Sequence, residues 1–148
     1  VTLRPNAKTI YALKAMVDLA RHEGVGPVSL KTVARRQGIP LRYLEQLFVR
    51  LRREGLVEAQ RGPRGGYRLS RPAGQIPVSR VLRSLQPEKA APRKGIKPPP
   101  GAADPTAALW RELEQAVRSR LEMVTLRQLA DQGVRADGPL RHNYPFHI

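Results

Sequence analysis

With 27 Lys+Arg against 12 Asp+Glu on 148 residues, the chain carries a formal charge of +15, and a polyanion is the expected partner. Cysteine is absent, which excludes a disulfide frame, a thiolate zinc site and a cysteine-ligated iron–sulfur cluster and suits a reducing cytoplasm, where the protein is expected to act. No apolar run approaches the roughly 18 residues of a membrane helix and no signal-type segment stands at the N-terminus, so no membrane association is expected.

The first helix is predicted from about Ala7 to Glu23, with Ile10, Leu13, Met16, Val17 and Ala20 as its buried stripe. Ser29 then stands where a helix N-cap belongs, Leu30, Val33 and Ala34 supply one apolar face, and Gly38 ends this short helix. Pro40 opens the next, where its missing N–H costs nothing. Leu41, Leu44, Leu47, Phe48 and Leu51 recur at helical spacing down to Glu54, and Gly55 stops the run. Two short strand-like runs, Leu56 to Arg61 and Tyr67 to Arg71, flank Gly62, Pro63, Gly65 and Gly66, the turn chemistry of a hairpin.

A helix-turn-helix followed at once by a basic β-wing is a device for reading duplex DNA. Charge is concentrated on it: Leu30 to Pro72 holds eleven Lys/Arg against three acids, whereas Thr106 to Gly133 holds four of each. The residues of this module expected to meet DNA include Ser29, Arg42, Tyr43, Gln46, Arg50, Arg53 and Arg64.

A fourth helix is expected from Val78 to Leu85, after Pro77. From Gln86 to Pro105 the chain is rich in proline and glycine and has no aromatic residue, so it cannot bury enough surface to fold alone. One long helix is then predicted from about Thr106 to Gln132, about 40 Å in length. Its Leu109, Trp110, Leu113, Val117, Leu121 and Val124 are the expected homodimer interface, with Trp110 read as a core anchor. The last stretch lacks periodicity and reads as a tail, whose Tyr144 and Phe146 are expected to pack on a second subunit. The fold class is therefore mainly α with a small β-wing. Its parts are a winged helix-turn-helix domain (1–85), a Pro-rich loop (86–105), a C-terminal dimerisation helix (106–133) and a tail (134–148).

Other chemistry finds little support. His22, His142 and His147 have no metal-ligand spacing, and no nucleophile motif surrounds any serine. The Gly62 to Gly66 run lies between two strands, the context of a wing tip and not of a nucleotide loop. Neither catalysis, nor a metal, nor a cofactor is expected. A basic architectural protein that binds DNA or RNA without sequence choice is the alternative to a sequence-specific regulator.

The strings GIPLRYLEQLFVRLRREGLV (Gly38 to Val57), RGPRGGYRL (Arg61 to Leu69) and ALWREL (Ala108 to Leu113) resemble the Rrf-two, or IscR-type, family of dimeric winged helix-turn-helix transcription regulators. The resemblance implies that Glu45, in the YLEQL run, helps choose bases in the major groove, and that Arg61, before the Gly-Pro of the turn, enters the minor groove. Both roles are chemically sound, since a carboxylate accepts a bond from a cytosine amino group and a narrow minor groove attracts arginine. Pro40 departs from a capping serine common in relatives, Arg42 replaces a small residue and Arg64 a wing glycine, so a different operator is implied. Cluster-binding members carry three cysteines and a histidine ahead of the ALW string. Here the last cysteine position falls on Asp104 and the histidine position on Ala107, which places the chain with the cluster-free members. The loop 86–105, with Lys89, Arg93, Lys94 and Lys97, is then either a passive spacer or a docking segment for a regulatory protein or small metabolite.

Overall fold

The computed structural model describes residues 5–86 and 104–134. In chain order they form α1 (Ala7–Arg21), α2 (Leu30–Gln37), α3 (Leu41–Arg53), β1 (Val57–Gln60), β2 (Gly66–Leu69), a 3-10 turn (Ala73–Gln75), α4 (Val78–Ser84), α5 (Ala107–Met123) and α6 (Leu126–Val134). The expected tail packing of Tyr144 and Phe146, the histidines 142 and 147 and most of the 86–105 loop lie outside the described residues.

Local chemistry sets the helix ends. Asn6 caps α1 by accepting from the Thr9 amide at 2.9 Å, and Ser29 caps α2 by accepting from the Thr32 amide at 3.2 Å. Gly38 closes α2 in the left-handed conformation at φ 65°, which directs the chain into α3. Pro40 is the N-cap residue of α3, one position ahead of the helix it was expected to open, and makes no side-chain cap.

Helix α1 is the hub, packed by α2, α3, α4, β2 and α6. Its most buried residues are Ala12, Ala15, Met16, Leu19 and Ala20, whereas Ile10, Leu13 and Val17 of the expected stripe are only half-buried. The shift has a physical reason: several elements close on α1 from different sides, and alanines let backbones approach where larger side chains would hold them apart. Asp18 is also buried on this helix, 2% exposed. Arg36 of α2 meets it through Nε at 3.1 Å and Nη2 at 2.5 Å, and Gln37 Nε2 donates at 2.9 Å, so a fully partnered carboxylate ties α1 to the first helix of the DNA-binding pair.

Phe48, Leu44, Leu47 and Leu51 of α3 fill the core beneath the wing, and Phe48 meets Tyr67 edge-on with ring centroids 4.9 Å apart. Strands β1 and β2 pair antiparallel, Val57 opposite Leu69 and Gln60 opposite Gly66. Val28 exchanges two backbone bonds with Tyr67, both 2.8 Å, so the residue before the α2 cap forms a third short rung of the sheet.

The long C-terminal helix expected from Thr106 to Gln132 is broken. Val124 is extended at φ −88°, ψ 125°, and separates α5 from α6. Two backbone bonds hold the break: Val78 N–H donates to the Val124 carbonyl at 2.8 Å, and Leu126 N–H to the Ile76 carbonyl at 3.0 Å. Thr125 and Gln128 then start α6 as a reciprocal cap, the Thr125 amide donating to Gln128 Oε1 at 3.1 Å and the Gln128 amide to Thr125 Oγ1 at 3.3 Å. Helix α6 folds back on α1, burying Leu126 and Ala130, and Arg127 pairs with Glu23, which also accepts from the Ala73 amide at 3.0 Å. The last helix therefore belongs to the winged domain.

Candidate nucleic-acid interface

With Leu44, Leu47, Phe48 and Leu51 turned into the core, the 3.6-residue period places Arg42, Gln46, Val49 and Arg53 along the outward crest of α3, flanked by Glu45 and Arg52 on one side and Arg50 on the other. All seven are exposed. Tyr43 is the exception among the expected α3 contacts. It is half-buried, its ring edge-on to Tyr11 at 5.6 Å, so it supports the start of α3 as much as it presents a surface.

The basic residues fall into two groups. Arg36, Arg68 and Arg127 are held by Asp18, Glu58 and Glu23, with Arg68 Nη2 3.1 Å from Glu58. Among the described residues, by contrast, no ion pair engages Arg42, Arg50, Arg61 or Arg64, and none engages Glu45. Unneutralised guanidinium groups gathered on one surface create the positive potential that a phosphate backbone seeks. Lys8 of α1 adds to that surface. Its Nζ donates to the Leu85 carbonyl at 2.8 Å, and burial, followed by the charge of Arg50, lowers its pKa from the usual 10.5.

The wing presents Arg61 and Arg64 on a turn closed by a 2.9 Å bond from the Gly65 amide to the Gly62 carbonyl. Both are exposed. Glycine is obligatory at two of the turn positions because of backbone proximity: a Cβ on Gly65 would run into the Gln60 and Gly62 carbonyl oxygens, and one on Gly66 into the carbonyl of Val28 and the amide of Ser29. Ser29 is exposed, but its hydroxyl is engaged in the α2 cap and lies 2.9 Å from Thr32 Oγ1. The sequence reading overlooked Val49 and Arg52, as well as Lys31 and Arg35 on the exposed side of α2. Projecting each helix with its buried residues inward is the signal that finds them.

Helix α5 carries a different surface. None of its residues is buried, and Leu109, Trp110, Leu113 and Met123 are exposed. Trp110, expected as a core anchor, is 54% exposed within the chain. Val117 and Leu121 are half-buried, and Val124 is half-buried in the break that follows α5.

Comparison with known proteins agrees with this architecture. The model of the Rrf2 family, described as an iron-dependent transcriptional regulator, matches residues 6–132. The chain belongs to the Rrf2 family. The IscR transcriptional regulator of Xenorhabdus nematophila is 44% identical over 129 residues, 86% of this chain and 79% of that protein. Among solved structures, IscR of T. potens superposes with a TM-score of 0.78 at 34% identity, covering 93% of each chain. CymR, the global cysteine regulator of B. subtilis, superposes at 0.76 and 33% identity, covering 88% of this chain and 98% of its own. This Rrf2 protein is a sequence-specific DNA-binding regulator of transcription, and its relatives are regulators, not enzymes. No helix among the described residues is long and apolar enough to cross a membrane.

The family description names iron, and the residues present do not fit an iron–sulfur cluster. The sequence has no cysteine. Asp104 commits its Oδ1 to the Thr106 hydroxyl at 2.7 Å and amide at 2.8 Å, bonds just ahead of α5 that lower its carboxyl pKa, and Ala107 offers no ligand atom. Among the described residues no group of three His, Asp or Glu side chains could hold a metal ion.

Proposed function

We propose that the protein is a homodimeric repressor that acts in the cytoplasm without an iron–sulfur cluster, occluding a promoter by binding a pseudo-palindromic operator. Each α3 enters a major groove. Arg42, Glu45 and Gln46 meet base edges, Tyr43, Arg50 and Arg53 hold the flanking backbone together with Ser29, and Arg61 and Arg64 of the wing reach the minor groove and its phosphates. The supporting observation is that, among the described residues, no ion pair engages the exposed Arg42 and Arg50 of the helix, the exposed Arg61 and Arg64 of the wing, or the exposed Glu45. A general electrostatic binder has no use for a carboxylate there. Dimerisation through α5 is supported by its exposed Leu109, Trp110 and Leu113. Regulation enters through the 86–105 segment, where Lys89, Arg93, Lys94 and Lys97 suit an acidic protein or metabolite.

The deciding experiment selects duplexes from a random pool with the full chain, then titrates the winner, random DNA and a version with about half a helical turn, roughly 5 base pairs, inserted between half-sites. A dimeric reader prefers the selected site and loses it on insertion. Indifference to insertion refutes the dimer, and equal affinity for random duplex at fixed salt leaves only the architectural reading. Within the site, Glu45→Ala relaxes choice by about 1–3 kcal/mol at one base pair per half-site. Arg61→Ala weakens sites with a narrow minor groove most. Removing Lys89 to Gly101 abolishes the response to the inducing condition if the segment senses, and leaves it intact if the segment only connects.

A further inference from the structure

We infer that Val49 is a specificity-determining residue that reads the C5-methyl group of one thymine in each half-site. The inference rests on the DNA-binding role of α3 and goes beyond it by naming a base feature and the side chain that detects it. Among the seven exposed residues of α3, Val49 alone is apolar, and it is 58% exposed. In the described part of the winged domain the other exposed large apolar residue is Val25, in the turn after α1. Val49 stands instead on the crest of the reading helix, with Gln46 and Arg53 in line and Arg50 beside it. It also borders a hollow of about 520 Å³ lined by Gln46, Arg50, Arg53, Glu54, Ser84 and Gln86, and among the described residues it stays exposed.

An exposed apolar residue beside Arg50 and Arg53, with Glu45, Gln46 and Glu54 also close in the helix, suits an occupant that is anionic and yet offers both hydrogen-bonding edges and a hydrocarbon group at close range. The major groove of DNA meets these requirements. Thymine alone among the four bases projects a methyl group into it, and small apolar side chains recognise that methyl by contact. A branched β-carbon gives Val49 two methyl groups in a nearly fixed rotamer, so the contact needs little side-chain ordering.

Position sharpens the inference. Val49 follows Glu45 by four residues and Gln46 by three, one helical turn further along the same side. A turn rises about 5.4 Å and stacked base pairs are about 3.4 Å apart, so the thymine lies about one to two base pairs from the position governed by Glu45.

The test uses a duplex selected by the full chain, in which each thymine is replaced in turn by deoxyuridine, removing only the methyl group. Wild-type protein should lose about fourfold in affinity at one thymine per half-site, the worth of one buried methyl, and nothing at the others. Val49→Ala and Val49→Ser should bind the parent duplex about fourfold more weakly per half-site and be indifferent to deoxyuridine at that thymine. Because Val49 is exposed, both variants should keep the wild-type circular dichroism and melting temperature. If no thymine responds in the wild type, or if both variants respond as the wild type does, the role is overturned while sequence-selective binding stands. If wild-type protein does not distinguish the selected duplex from random DNA, the operator reading falls first and this role with it.

Discussion

Helices α3 and α5 are both amphipathic, and the chain treats their apolar sides in opposite ways. Leu44, Leu47, Phe48 and Leu51 of α3 are buried within one chain, while no residue of α5 is buried and Leu109, Trp110 and Leu113 face outward. Full burial of such a side chain contributes about 1.5–3 kcal/mol. The reading head therefore has its core complete in a single copy. What α5 stands to gain from burial must come from something packed against it, and the proposed second copy supplies an identical, self-complementary face.

The largest effect should come from severing that dependence. Leu109→Glu with Leu113→Glu is expected to leave the winged domain folded but to yield a monomer, with operator affinity falling about a hundredfold through loss of two-headed binding. Sedimentation and titration of the same sample check both halves, and a dimer that survives the double substitution breaks the comparison. Next in size, Asp18→Ala removes the buried acceptor shared by Arg36 and Gln37 and should lower the stability of the winged domain by about 2 kcal/mol, read by chemical denaturation. Thr125→Ala removes half of the cap that starts α6 and should cost about 1 kcal/mol, with α5 helicity unchanged. The smallest effect concerns Asp104, which is fully exposed. Its lowered pKa means that its contribution to the turn ahead of α5 is present above the ordinary value of 3.8 and lost as pH falls through the depressed one. Asp104→Asn should remove that acid transition from Trp110 fluorescence.

Most of the winged domain was legible because its signals are local. Capping side chains, left-handed glycines and a 3.6-residue apolar period each act within a few residues, and they place α2, α3 and the hairpin within one or two residues of where they lie. The break between α5 and α6 was legible too, but was overlooked. Thr125, Leu126, Arg127 and Gln128 spell a capping box, yet the apolar period runs through Val124 and makes a continuous helix look natural. What decides for the break is non-local, the pair of backbone bonds to Ile76 and Val78 some fifty residues earlier. The burial of Asp18 was invisible for a related reason. An aspartate in a helix reads as exposed until Arg36 and Gln37 from another helix are seen to surround it. The crest of α3 needed only the helical projection, which sets Val49 on the side opposite the face of Leu44, Leu47, Phe48 and Leu51.

The bond between Val28 and Tyr67 makes the reader a caliper. One jaw is α3, set by α2 and its Ser29 cap; the other is the wing, whose Gly66 lies against the backbone of Val28 and Ser29 with no room for a side chain. Because main chain fixes the opening, substitutions along α3 can change which letters are read without changing how far they stand from the proposed minor-groove contact. A reader built this way can change the spelling of its operator while the length of the half-site stays the same.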